Sequence, residues 1–425
     1  MVSPFSMPSA ADVAAAYQAG PGGAVLAGRF LDAVLAHLPT GDHVVPSIDG
    51  DEEGIISSAA YTAAAGQRQR HWRMASERSP VLLSRGRYFI TRRADVLAAL
   101  RNSKVFESAR RLTFTGFGVE QIPTNYVGAR HARYRRILDP AFGPRAVAPI
   151  ERKLREHAAA LVDAVTARGQ CEAGDLADPF AAQGLLSMLG FPPADWKLVL
   201  GLVGQVLDNE SPDHYKLPAK QRLLDYVSAI LARRPRRGVS GHLLGDGKCP
   251  FDGKELLGFF SFALIVGIGS VEATIGFALL ELARDPQLRA RLCDDPALIP
   301  AFVDEILRVE SPIPTIQRVT SEDVTVGSFT VPASSRVLLF LAAVNTEDSA
   351  KVELPEDARI RKRHWAFGGG PYRCLGSHLA RMELRVFLEE WLKKIPDFEL
   401  APGFTPRIVE AEVDRLASLP LRWDK

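Results

Sequence analysis

Phe367-Gly368-Gly369-Gly370-Pro371-Tyr372-Arg373-Cys374-Leu375-Gly376 runs directly into a helical pattern that opens Ser377-His378-Leu379-Ala380-Arg381. One cysteine sits among four glycines. Without a Cβ at 368, 369, 370 and 376 the backbone adopts turns closed to other residues and passes close to something large and flat. The loop amides, with the helix N-terminus behind them, would favour a thiolate at Cys374 over a thiol. A thiolate held that way is a metal ligand. A cysteine beside one glycine turn would read as an ordinary buried side chain; the whole Phe-Gly-x-Gly-x-x-x-Cys-x-Gly string carries the metal reading.

The rest of the chain bounds what such a site serves. Its 425 residues carry a formal net charge of +2, and no basic stripe is interleaved with aromatics, which argues against a nucleic-acid partner. Four cysteines, Cys171, Cys249, Cys293 and Cys374, are scattered without the spacing of a disulfide framework. That usage fits a reducing cytoplasm. No basic start with a continuous apolar core marks a signal peptide, so a soluble protein with no membrane anchor is expected. Leu256 to Val271 approaches the length of a membrane span, yet contains Ser261, Ser270 and three glycines and runs into Glu272; a helix buried all round reads the same way.

Residues 1–60 are rich in Ala and Gly, with Leu26, Phe30, Val34 and Leu38 recurring every fourth residue, and read as an extension carrying one amphipathic helix. Residues 61–425 read as one catalytic domain. Val81-Leu82-Leu83, a turn at Ser84-Arg85-Gly86 and Arg87 to Thr91 predict a hairpin, followed by a helix through Val96 and Leu100. His131 and Arg135 share a helical face and reach one anion together. Asp252 and Glu255 form the signature of a capping box opening a long helix that stops at Asp285-Pro286. Glu305-Ile306-Leu307-Arg308 is a Glu-x-x-Arg pair at helical spacing, and Arg318 follows two prolines. Val324 to Val326, Phe329 to Val331 and Val337 to Leu341 read as strands.

These strings, in this order, resemble the cytochrome P-450 family, soluble bacterial type, over about residues 65–425. The resemblance implies a mainly α fold with a minor β region, a triangular helical prism around a buried haem b. It implies Cys374 as the axial ligand of the iron, and His131, Arg135, Arg318 and His364 as ligands of the haem propionates. Two residues before the cysteine the family commonly has His or Arg; here Tyr372 and then Arg373 stand there, and which of them reaches the haem is open. Phe367 and Gly376 are the loop positions that flank the cofactor. Glu305 and Arg308 would lock the core behind the loop. The segment Leu112 to Val127 would close over the substrate.

The main departure is in the long helix. Its register places Gly267-Ile268-Gly269-Ser270 where the family carries a small-residue kink, an acid and a threonine. The usual alcohol positions a water and the usual acid links it to solvent, so that protons reach the oxygen being activated. Ser270 performs the first task; Gly269 cannot perform the second. Glu272 lies one turn beyond Gly269 and Thr274 one turn beyond Ser270. Protons would come through water or a substrate group, through Glu272 as a displaced relay, or not be required.

The function expected from the resemblance is a haem-thiolate monooxygenase that hydroxylates or epoxidises an apolar small molecule of secondary, lipid or terpenoid metabolism. Its electrons would come from NAD(P)H through a ferredoxin reductase and a ferredoxin, docking near Arg359, Arg361, Lys362 and Arg363. Gly269 keeps open a peroxide-using or substrate-assisted enzyme, for isomerisation, coupling or dehydration. A haem-binding module without catalysis is the alternative of another class.

Overall fold

Alternating apolar residues at Val81–Ser84 (β1) and Arg87–Ile90 (β2) pair as the expected antiparallel hairpin, Val81 opposite Ile90. In the computed structural model, which describes residues 67–84, 86–108, 119–208, 213–245, 249–409 and 413–424, this hairpin becomes the edge of a five-stranded sheet. Its order is β1-β2-β8-β5-β3, with β3 at Phe106–Glu107, β5 at Thr315–Thr320 and β8 at Arg336–Phe340. Between them Val324–Val326 (β6) and Phe329–Val331 (β7) form a small hairpin of their own. The extension over residues 1–60, with its amphipathic pattern, and the first part of the predicted substrate loop, residues 112–118, lie outside the described residues.

Helices make up most of the remainder. The principal ones are α1 (Gln67–Arg78), α2 (Arg93–Arg101), α3 (Gly128–Phe142), α4 (Glu151–Thr166), α5 (Gly174–Leu189), α6 (Trp196–Leu207), α7 (Asp213–Ala232), α8 (Gly253–Gly267), α9 (Gly269–Arg284), α10 (Ile299–Glu310) and α11 (Ser377–Lys394). Two small sheets complete the C-terminal side: Gln170–Glu172 (β4) and Glu399–Leu400 (β9) both pair with the last strand, Pro420–Arg422 (β12), while Ile408–Val409 (β10) pairs with Arg415–Leu416 (β11). The main core lies among α4, α5, α8, α9, α10 and α11, where Phe180, Phe260, Phe277, Phe302, Phe387 and Trp391 are fully buried. At about 25 cal/mol per Å² of apolar surface, such side chains supply most of the drive to fold.

The predicted long helix is two helices. Asp252 caps α8 through a complete capping box with Glu255, and α9 ends at Arg284, one residue before Asp285-Pro286. The axis breaks at Ile268, where Val271 and Glu272 both donate to the Ile268 carbonyl. Glycines on both sides of that residue make the break cheap. By length and composition α8 and α9 together would cross a membrane, and most of the stretch is buried within the molecule.

Candidate active site

The glycine loop packs between α2 and α11. Gly368 and Gly370 both take φ +64, and a Cβ on Gly370 would drive into the Leu100 carbonyl at the end of α2. A Cβ on Gly369 would lie 3.3 Å from Leu100 Cδ1, whereas one on Gly376 would meet nothing within 4 Å. So glycines 368 to 370 serve the bend and its seat on α2. Only Gly376 leaves an open approach of the kind expected for all four.

Cys374 closes this loop by donating its amide to the Phe367 carbonyl at 2.8 Å. Its side chain is accessible, yet burial is the largest influence on its thiol and pushes the pKa up. The Gly376 amide and the charges of Arg135, Arg373 and Arg381 pull the other way without prevailing. This corrects the expectation that amides and helix terminus alone would make a thiolate; desolvation outweighs them, and a coordinated cation would have to complete the deprotonation.

Around Tyr372 three bases converge. The His131 ring lies 4.2 Å from the Tyr372 ring, centroid to centroid, and the Arg318 guanidinium 5.0 Å from its face. His131 and Arg135 both lie on α3, and Arg318 on β5. Burial and the charges of Arg135 and Arg318 hold His131 down to about 4, and burial holds Arg318 down to about 10. Nε2 of His131 is buried with no hydrogen-bond partner. Arg318 donates only to its neighbour's carbonyl, Gln317 O, among the hydrogen bonds described for it. Neither His131 Nε2 nor the Arg318 guanidinium meets an acid among the described residues, an arrangement that fits an incoming carboxylate.

Arg135 also braces the loop. It donates to the Arg373 carbonyl at 2.7 Å and pairs with Asp139. The Tyr372 hydroxyl donates to the Tyr126 carbonyl, so its ring, rather than a free donor, supports His131 and Arg318. The Arg373 side chain is exposed.

His364 is not brought to this cluster. Its Nε2 lies 3.3 Å from Asp304 Oδ1 and 2.9 Å from Arg381 Nη2, and Nδ1 accepts from the Ala366 amide. Both nitrogens are occupied within the protein, which corrects its expected role at a propionate. Asp304, between His364 and Arg381, is held down to about 2 by those partners against the opposing effect of burial. The sequence reading passed over it; a buried acid immediately before the Glu-x-x-Arg pair was the available signal. Phe367 packs its ring under Arg381, 4.6 Å from the guanidinium carbon.

Glu305 and Arg308 form a two-point pair, Nε to Oε1 at 2.7 Å and Nη2 to Oε2 at 2.8 Å, with both side chains buried. Arg308 also donates to the carbonyls of Asn345, Ser349 and Lys351, and Glu305 accepts from the Glu353 amide. The pair fastens residues 345–353 to α10.

On the helix break, Ser270 and Gly269 are half-buried, and a Cβ on Gly269 would meet nothing within 4 Å. Thr274 is buried and donates to the Ser270 carbonyl at 2.6 Å, which removes its proton from any relay. Glu272 is half-buried, and burial lifts its carboxyl to about 7.

With this geometry in view, comparisons with known proteins are decisive. A model of the cytochrome P450 family matches residues 295–403. Cytochrome P450-SU2 of Streptomyces griseolus is 30% identical over 359 residues, covering 79% of this chain and 87% of that protein. The chain belongs to the cytochrome P450 family. Cytochrome P450 130 of Mycobacterium tuberculosis is 29% identical over 360 residues, covering 79% and 88%. The solved cytochrome P450 CYP109Q5 from Chondromyces apiculatus superposes with a TM-score of 0.73 at 27% identity, over 88% of this chain and 98% of that one. This P450 is an oxidoreductase, a haem-thiolate monooxygenase with a haem-iron cofactor. Its residues fit that group: an accessible but desolvated sulfur, and an orphaned buried imidazole near a buried guanidinium for which no acid partner is found among the described residues.

Proposed function

We propose that this P450 hydroxylates or epoxidises an apolar small molecule, with electrons passed from NAD(P)H through a ferredoxin reductase and a ferredoxin. Cys374 would hold the haem iron through its sulfur, and His131 and Arg318 would hold the propionates, with Arg135 beside them. The observation that carries this reading is the buried His131 and Arg318 with no acid partner among the described residues, set against a desolvated but accessible thiol. When bound, the haem supplies O2 activation and oxygen transfer. The chain's own residues position it, exclude water and move protons.

An apolar substrate is supported by Val266, one turn before Ser270 and 39% exposed between the buried Ile265 and Ile268. A ferredoxin of acidic surface suits the exposed Arg359, Arg361, Lys362 and Arg363, although Arg361 and Lys362 also pair with Asp304 and Glu353. Four free cysteines suit a cytoplasmic location. Gly269 favours a second reading, peroxide-driven or substrate-assisted chemistry. Turnover with NADH, reductase and a surrogate ferredoxin is compared with turnover on hydrogen peroxide. Product from the redox chain is expected; full activity on peroxide with none from the redox chain selects the second reading.

A further inference from the structure

O2 splitting consumes protons, and Gly269 leaves the helix break without the acid that would bring them. The structure places other carboxylates beside it. Glu272 lies one turn beyond Gly269 in the first turn of α9, and open space borders Gly269, where a Cβ would touch nothing within 4 Å. Across from it runs α5, whose Leu185 lies against Gly267 at the end of α8. Asp178 on α5 is half-buried and close enough for its charge to act on Glu272; Asp175, one turn earlier on the same helix, is exposed. Arg415 reaches the group from β11, whose Leu416 lies 3.6 Å from the Cβ position of Gly276 on α9. Among the described residues, Asp178 and Arg415 are the charged groups that act on Glu272. Asp175 and Arg415 act in turn on Asp178.

We propose that Asp175, Asp178 and Glu272 form a proton path from the surface at α5 and β11 to the break at Gly269-Ser270, replacing the absent acid. The inference rests on the monooxygenase reading above, since only O2-driven turnover draws protons from solvent. Glu272 gives its carboxyl proton to water beside Gly269, and that water hands a proton to the Ser270 hydroxyl as the hydroxyl passes its own onward. The Glu272 carboxylate, favoured by the charge of Arg415, takes a proton back from Asp178, which takes one from solvent at Asp175. One proton enters for each one delivered, and no electrons move along the path. Burial supports this by holding Glu272 near 7, where it both gives and accepts at neutral pH, and by raising Asp178 in the same direction. Glu272 and Asp178 are positioning and relay residues, since Ser270 and water stand between them and the reacting oxygen.

The test uses the haem-loaded full chain and Glu272→Gln, Glu272→Asp and Asp178→Asn. Infrared spectra across neutral pH read the protonated carboxyl directly. A carboxyl component titrating near neutrality is expected that Glu272→Gln removes, leaving the separate contribution of Glu281, and that moves to lower pH in Asp178→Asn, where a like charge is gone. In turnover with the redox chain, Glu272→Gln should lose product at least ~10-fold and release the reducing equivalents as hydrogen peroxide, with Glu272→Asp recovering part of the coupling. Peroxide-driven turnover, which brings its own protons, should fall far less. Wild-type coupling in Glu272→Gln, or no Glu272 band titrating near neutrality, overturns the path. A wild type that yields product from peroxide alone overturns the monooxygenase reading instead, and the two failures are told apart by the wild-type assay.

Discussion

Arg318 carries its charge into a place that is 8% exposed with no carboxylate to meet it, and His131 keeps a buried nitrogen without a partner. Groups left this way cost the free protein about 1–3 kcal/mol each, more when charged. A propionate removes that cost. Arg318→Ala should therefore speed haem loss by about thirtyfold, from a charge-assisted hydrogen bond worth about 2 kcal/mol, measured as transfer of haem to a scavenger protein. His364→Ala should leave haem transfer nearly unchanged and show its effect in unfolding, because its nitrogens serve Asp304, Arg381 and Ala366. The two histidines could not be told apart by type or spacing. Where each ring points, and what it meets, followed from packing.

At the scale of the element, a Glu-x-x-Arg pair on an isolated helix is worth only a few tenths of a kcal/mol. On α10 it is buried and bonded to the backbone of residues 345–353. Arg308→Ala strands the Glu305 carboxylate and should cost about 3–5 kcal/mol in urea unfolding. The cysteine loop makes a second prediction. Gly370→Ala forces a side chain into φ +64 and against the Leu100 carbonyl, so both unfolding midpoint and haem retention should fall, with strain of about 1–3 kcal/mol. Gly376→Ala meets no protein atom within 4 Å and should leave haem-free unfolding unchanged; a loss confined to haem retention would locate the cofactor at that Cβ. The break between α8 and α9 was legible from Gly267 and Gly269, as were both ends from Asp252 and Pro286. The division of labour among the loop glycines was not, because it depends on α2.

For the whole molecule, four groups shape stability against pH in the haem-free chain. Burial holds Glu272 and Glu281 near 7, so the fold binds protons that the unfolded chain releases, and stability falls as pH rises from the ordinary carboxylate range through about 7. His131, held near 4, loses stability as pH falls from its ordinary value of 6.5 through about 4. Asp304, held near 2, loses it lower still, as pH falls from 3.8 through about 2. Above the ordinary carboxylate range two carboxyls lose stability while one histidine gains it, so urea midpoints of haem-free protein should peak between about pH 4 and pH 5, and Glu272→Gln should flatten the neutral side. A midpoint still rising through neutral pH would contradict this balance.

What the sequence determined by itself was the class of chemistry. A cysteine in a glycine string, a base pair at helical spacing, a buried ion-pair motif and an arginine past two prolines stand at fixed separations, and spacing along a chain is one-dimensional information. The resemblance those strings carry likewise implied the mainly helical fold with a small sheet that is found. Only the tertiary structure decided which bases lack partners, which glycines answer to a neighbouring helix, and that desolvation holds the Cys374 thiol up. It alone brought Asp178 and Arg415, 94 residues before and 143 after Glu272 in the sequence, within reach of that carboxylate. Burial and field strength depend on what folds around a group, and no local pattern encodes it.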